Sequence, residues 1–189
     1  MEDIEKELRK IGFIRGLLLG AILLLIGIIS YYLIINNAGP WWFPLISSFF
    51  FNLILPVGLA ITFVVNLRKS IGGFWSFKQA VTGIFMMFLA AYIVQAIGRD
   101  VVFAKIIEPD MVQKTEAAMI RSITTAAKPL SYTPAQTAAK IADTKKQFEE
   151  NQKPTVTGVI QGVIVSIIFL FVFAIIFSAV FKRELAQTT

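Results

Sequence analysis

Three acids stand close together where an apolar segment gives way to a polar one: Asp100, Glu108 and Asp110. Grouped carboxylates can hold a hard divalent cation or serve as general acid and base. Arg99, Lys105 and Lys114 are interleaved with them, so ion pairing is the simpler use, and no metal centre is expected. The chain has no Cys and no His. That removes thiol nucleophiles, Cys/His metal sites and imidazole acid–base chemistry. No carboxylate falls inside a long apolar segment, so ion coupling through a mid-membrane acid has no carrier. A non-enzyme without a cofactor is expected. The polar groups that do fall inside apolar segments are amides: Asn52, Gln95 and Gln161. They would form either a polar intramembrane patch or interhelical hydrogen bonds, each worth ~0.6 kcal/mol.

The elements that must carry these groups are helices in lipid. Hydrophobic residues make up 56% of the 189 residues, and the mean hydropathy is +0.72. Four apolar runs each approach or exceed the ~20 residues that cross a hydrocarbon core: about 13–35, 45–65, 80–97 and 156–181. The expected fold is all-α, a four-helix integral membrane bundle within a single membrane domain, 1–189. The charged start, with Glu2/Lys6 and Glu5/Arg9 at i,i+4, runs unbroken into the first span. That span is an uncleaved anchor rather than a signal peptide, since it is too long for an h-region and no small-x-small site follows. The formal charge is +6, yet no basic stripe alternates with stacking aromatics, so nucleic acid is not an expected partner.

Gly12, Gly16 and Gly20 recur every fourth residue and share one helix face. Such a stripe lets two backbones approach closely in lipid. It serves either as an interface for a partner or second copy, or as a packing face for another span of the same chain, the simpler reading. Trp41, Trp42 and Phe43 suit a membrane interface. Asn52 and Pro56 in the second span predict a kink. The second turn, 66–79, carries Arg68, Lys69 and Lys78 without an acid, whereas the first turn is uncharged. That contrast places both termini in the cytoplasm. The fourth span is rich in phenylalanine towards its end, from Phe169 to Phe181.

Beyond Gln95 the apolar pattern continues to Ile107, so the third helix projects past the membrane until Glu108-Pro109 stops it. Residues 99–155 then form a periplasmic excursion. Its first helix is expected over 109–127 with Pro109 as first residue. Its second starts at the capping box Thr133-Pro134-Ala135-Gln136 and ends at Lys153-Pro154. The two thin, alanine-rich apolar stripes make a helical hairpin that can move or receive a partner.

Gly73, Phe74, Phe77, Gln79 and Ala80 in the cytoplasmic turn, Gly83 in the third span and Pro109-Asp110 at the loop start carry a resemblance. The chain resembles a family of small four-span bacterial inner-membrane proteins grouped as a domain of unknown function. The resemblance covers nearly the whole chain. It implies a bacterial inner membrane and no catalytic residues, with a membrane glycosyltransferase of the dolichyl-phosphate-sugar type as an associated partner. The expected function is a non-catalytic accessory or scaffold subunit of an inner-membrane complex. The alternative is a lipid-handling protein whose hairpin is a lid. A third reading is an enzyme on lipid-linked substrates using Asp100, Glu108 or Asp110. Expected partners are membrane lipids and a membrane protein or second copy of the chain.

Overall fold

A computed structural model describes residues 2–36, 40–151 and 155–183, with the side chains of 2–4 and 151 outside that description. The Glu2/Lys6 pair, the Lys153-Pro154 stop and the tail 184–189 lie outside the described residues. The chain forms six helices there: α1 Glu2–Ile35, α2 Phe43–Lys69, α3 Phe77–Ile107, α4 Met111–Ala127, α5 Pro134–Asn151 and α6 Val156–Phe181. No strand occurs among the described residues. α1, α2, α3 and α6 are each long and apolar enough to cross a membrane. The protein is therefore a multi-pass helical membrane bundle, with α4 and α5 as a hairpin between its third and fourth spans.

Packing centres on α3. Its Ala80, Ile84, Met87 and Ala91 are buried against Leu8 and Leu19 of α1, Val64 and Leu67 of α2, and Ala174 of α6. The α1–α3 seam is the closest. A Cβ at Gly12 would lie 2.6 Å from Gly83 O, and one at Gly20 would lie 2.7 Å from Val94 Cβ. At Gly16 it would overlap Met87 O. The glycine stripe is thus spent on a helix of the same chain. In α6 every residue from 156 to 165 is exposed, and burial begins only in its phenylalanine-rich half.

Two stretches depart from α winding. In α2, Phe50–Ile54 is π-wound, and the Leu55 N–H reaches back to Phe50 O. Pro56 has no N–H to offer Asn52 O, so the irregularity expected at the proline takes the form of a widened turn just before it. In α3 the last 12 residues, Ala96–Ile107, are π-wound. The Glu108 N–H closes the series on Phe103 O at 2.8 Å. There Glu108 leaves helical backbone at φ −132°, ψ 67°. The following helix begins at Met111, with Asp110 as N-cap, two residues later than Pro109. The Thr133 capping box is reciprocal: Thr133 N–H donates to Gln136 Oε1 at 2.9 Å and Gln136 N–H to Thr133 Oγ1 at 3.2 Å. Glu5 pairs with Lys78 at 2.9 Å across to the start of α3, rather than within its own helix.

Candidate functional site

The hairpin folds back over the ends of α1 and α2. Ser122 Oγ of α4 donates to Trp41 O at 3.1 Å, which ties the hairpin to the turn between the first two spans. Glu108 makes the second tie. Tyr32 Oη at the end of α1 donates to Glu108 Oε2 at 3.0 Å, and Lys114 Nζ of α4 donates to Oε1. The Lys114 ammonium, and then the Tyr32 hydroxyl, hold the Glu108 carboxyl below the usual carboxylate range; the same pairing raises Lys114. Beneath them Phe103 is buried edge-on to Tyr31, with ring centroids 5.4 Å apart. The Tyr31 hydroxyl is buried without a hydrogen bond.

Between the hairpin and the spans lies a cavity of about 300 Å³, within the usual ~300–1,000 Å³ of ligand pockets. Ile34, Pro44 and Leu45 line it from the spans, and Ala118, Met119 and Ile123 from α4. Polar groups gather on the remaining side, where Tyr132, Lys140 and Thr144 face it from α5 and the turn before it. Lys140 Nζ sits over the Tyr132 ring, 5.0 Å from its centroid. A second hollow of about 310 Å³ opens between α1, α2, α3 and α6, walled by Leu19, Pro56, Phe88, Tyr92 and Phe173.

The amide patch is not assembled. Gln95 borders the second hollow, and its Nε2 donates to Gly20 O at 2.9 Å. Asn52 Nδ2 donates to Ser48 O of its own helix at 3.0 Å. Gln161 lies on the exposed half of α6 without a hydrogen bond. The acidic cluster is not assembled either. Asp100 and Asp110 are exposed, only Glu108 is engaged, and no group of three acids able to hold a metal occurs among the described residues. The physical reason is that Glu108 lies where the backbone leaves the helix and is held by Tyr32 and Lys114, while Asp110 is the N-cap of the next helix. Of the expected cations, Lys114 pairs with Glu108, while Arg99 and Lys105 make no ion pair among the described residues.

At the opposite end the residues of the α2–α3 turn form a clasp. Gly72 and Gly73 take φ +93° and +86°, a conformation open to glycine without Cβ strain. Phe74 lies under the Arg183 guanidinium at 5.6 Å. Phe77 opens α3, and Gln79 completes a capping box with Ser76. The central residue here was not foreseen. Trp75 is 2% exposed; its Nε1 donates to Phe181 O at 3.0 Å and its N–H to Arg183 O at 3.0 Å. Arg68 Nη1 also donates to Phe181 O, at 3.3 Å. The last carbonyls of α6, orphaned by the helix end, are thus satisfied from the α2–α3 turn. The Ser-x-x-Gln spacing was a legible signal for the cap, whereas nothing local marked Trp75 as different from the belt tryptophans.

No curated protein and no solved structure matches the chain. A family profile described as "Protein of unknown function (DUF4199)" matches residues 11–183. The match spans all four apolar helices, the clasp and the hairpin, and the chain belongs to this family.

Proposed function

We propose that the protein binds a membrane lipid without transforming it, with the α4–α5 hairpin as the cover of the site. The observation that carries this reading is the largely apolar cavity of about 300 Å³ between the hairpin and the ends of α1 and α2. Its walls suit an acyl chain, and Trp41 beside it suits the headgroup level. The second hollow, among the spans, supports the same reading. A non-catalytic role is supported by Glu108 being engaged with Tyr32 and Lys114, with Asp100 and Asp110 turned to solvent. The site lies on the periplasmic face of a bacterial inner membrane, with both termini cytoplasmic, a placement supported by the acid-free basic α2–α3 turn. The test is extraction of the full chain in mild detergent followed by mass spectrometry of retained lipid. A defined lipid that survives washing, and is lost on Met119→Trp, is the expected result. A lipid-free preparation, or one in which filling the cavity changes nothing, overturns the reading.

A second reading is an accessory subunit of an inner-membrane complex, with a glycosyltransferase or a second copy as partner. One observation favours it: α6 leaves residues 156–165 exposed, Gln161 among them without a hydrogen bond. An amide facing lipid is unfavourable unless another chain satisfies it. Crosslinking from position 161 in native membranes tests this. A discrete crosslinked partner supports it, and lipid-only adducts argue against it.

A further inference from the structure

We propose that the lipid held under the hairpin bears an anionic, phosphate-containing headgroup, which Lys140 recognises. This rests on the lipid-binding reading above and adds the class of ligand. The argument is one of charge. The cavity is mostly apolar on the sides made by α1, α2 and α4, with the hydroxyls of Ser48, Thr115 and Ser122 among them, and its one cation, Lys140, stands with Tyr132 and Thr144 on the remaining side. Lys140 makes no ion pair among the described residues; Glu5, Glu108 and Glu150 pair with Lys78, Lys114 and Lys146 instead. Asp143, three residues on, does not reach it.

The Tyr132 ring instead holds the ammonium in place from one face, a contact that orients a cation without neutralising it. Lys140 is exposed at the edge of the hollow and its ammonium is open to an incoming anion, so a ligand that brings an anion to that edge gains a charge-assisted contact. A free anion would leave the apolar walls empty, and an uncharged lipid would leave the ammonium without its counterion. A phospholipid with net negative charge satisfies both, its acyl chain along Leu45 and Met119 and its phosphate against Lys140. The Ser48 hydroxyl donates to no protein group among the described residues and lies on the same cavity, where it can donate to the ester region.

The experiment is native mass spectrometry of the full chain released from micelles containing equimolar phosphatidylglycerol and phosphatidylcholine. Wild type is expected to retain phosphatidylglycerol over phosphatidylcholine by about five- to tenfold, the effect of one lysine on one anionic lipid. Lys140→Gln is expected to bring the ratio close to one while total lipid is kept, and Lys140→Glu to invert it. Both positions are exposed, so folding is not in question. Lys145→Gln, on the same helix but off the cavity, is expected to leave the ratio at its wild-type value. If lipid is retained and lost on Met119→Trp, yet Lys140→Gln leaves the ratio unchanged, the headgroup assignment is overturned and the cavity reading stands. A Lys145→Gln effect as large as that of Lys140→Gln overturns the assignment too, since surface charge then suffices. If wild type retains no lipid, both fall.

Discussion

Replacing Gly16 by alanine sets a methyl group against the backbone of α3. The new Cβ would overlap Met87 O and stand 2.7 Å from Ala90 Cβ and 2.9 Å from Met87 C, where ordinary contact begins near 3.4 Å. Backbone cannot swing aside as a side chain does, so the two helices must part by at least about 0.5 Å along this seam. Overpacking of this kind destabilises by about 1–3 kcal/mol. In water, alanine's helix propensity would return ~1 kcal/mol of that. In lipid or detergent a separated helix keeps its backbone hydrogen bonds, so the propensity term cancels and the measurement reads packing. Gly27 is the internal control, because nothing lies within 4 Å of its added Cβ; Gly27→Ala should stay within about 0.5 kcal/mol of wild type. The assay is unfolding in mild detergent by titration with sodium dodecyl sulfate, followed by tryptophan fluorescence. Equal stabilities for the two variants would refute the close seam. A Gly16→Ala chain that unfolds normally but changes oligomeric size would place the stripe between chains instead of within one.

Trp75→Phe removes one of the two donors to Phe181 O and should lower stability by about 0.5–1.5 kcal/mol, with faster proteolysis at the α6 end as the readout. Gln95→Leu loses the bond to Gly20 O and should weaken the α1–α3 seam by ~0.6 kcal/mol in the same unfolding assay. Glu108 is held below its ordinary value of 4.5, so its contribution to hairpin docking is present above that value and is lost as pH falls through the lowered one. Lys114 is raised above 10.5, so its contribution is present below that value and is lost only as pH rises through the raised one. The protection of α4 amides relative to the unfolded chain should therefore be flat across neutral pH and fall on acidification below about 4.5, and Glu108→Gln should remove that acid limb.

Hydropathy was enough to find the four long helices, because a run of apolar residues in lipid has few alternatives to helix. The α6 boundaries and the Thr133 cap followed from local chemistry, for which three or four neighbouring residues suffice. The glycine stripe was legible as a close-packing face, while its partner, the Gly83–Val94 stretch of α3, was not, since any span could have supplied it. The amide patch and the acidic cluster were hidden for different reasons. Gln95 and Gln161 sit in regular α-helix, and which neighbours their faces meet depends on packing between distant helices; Glu108 leaves the helix where α3 ends, and the π-wound stretch before it has no marker as plain as proline. Trp75 was hidden because its partners, Phe181 and Arg183, lie more than a hundred residues along the chain.

The clasp has a consequence for the order in which the molecule is made. Chains emerge from the ribosome N-terminus first, so α1, α2 and α3 can settle their seam while α6 is still untranslated. Until residue 181 arrives, the Trp75 indole N–H and the Arg68 guanidinium lack the carbonyl that they bond in the finished protein. The nascent three-helix intermediate therefore presents an open socket at the end of the bundle that carries the α2–α3 turn. Membrane insertion of the final span is then a closing step as well as an addition, and a ribosome stalled before that point should leave a chain that quality-control proteases recognise by this socket.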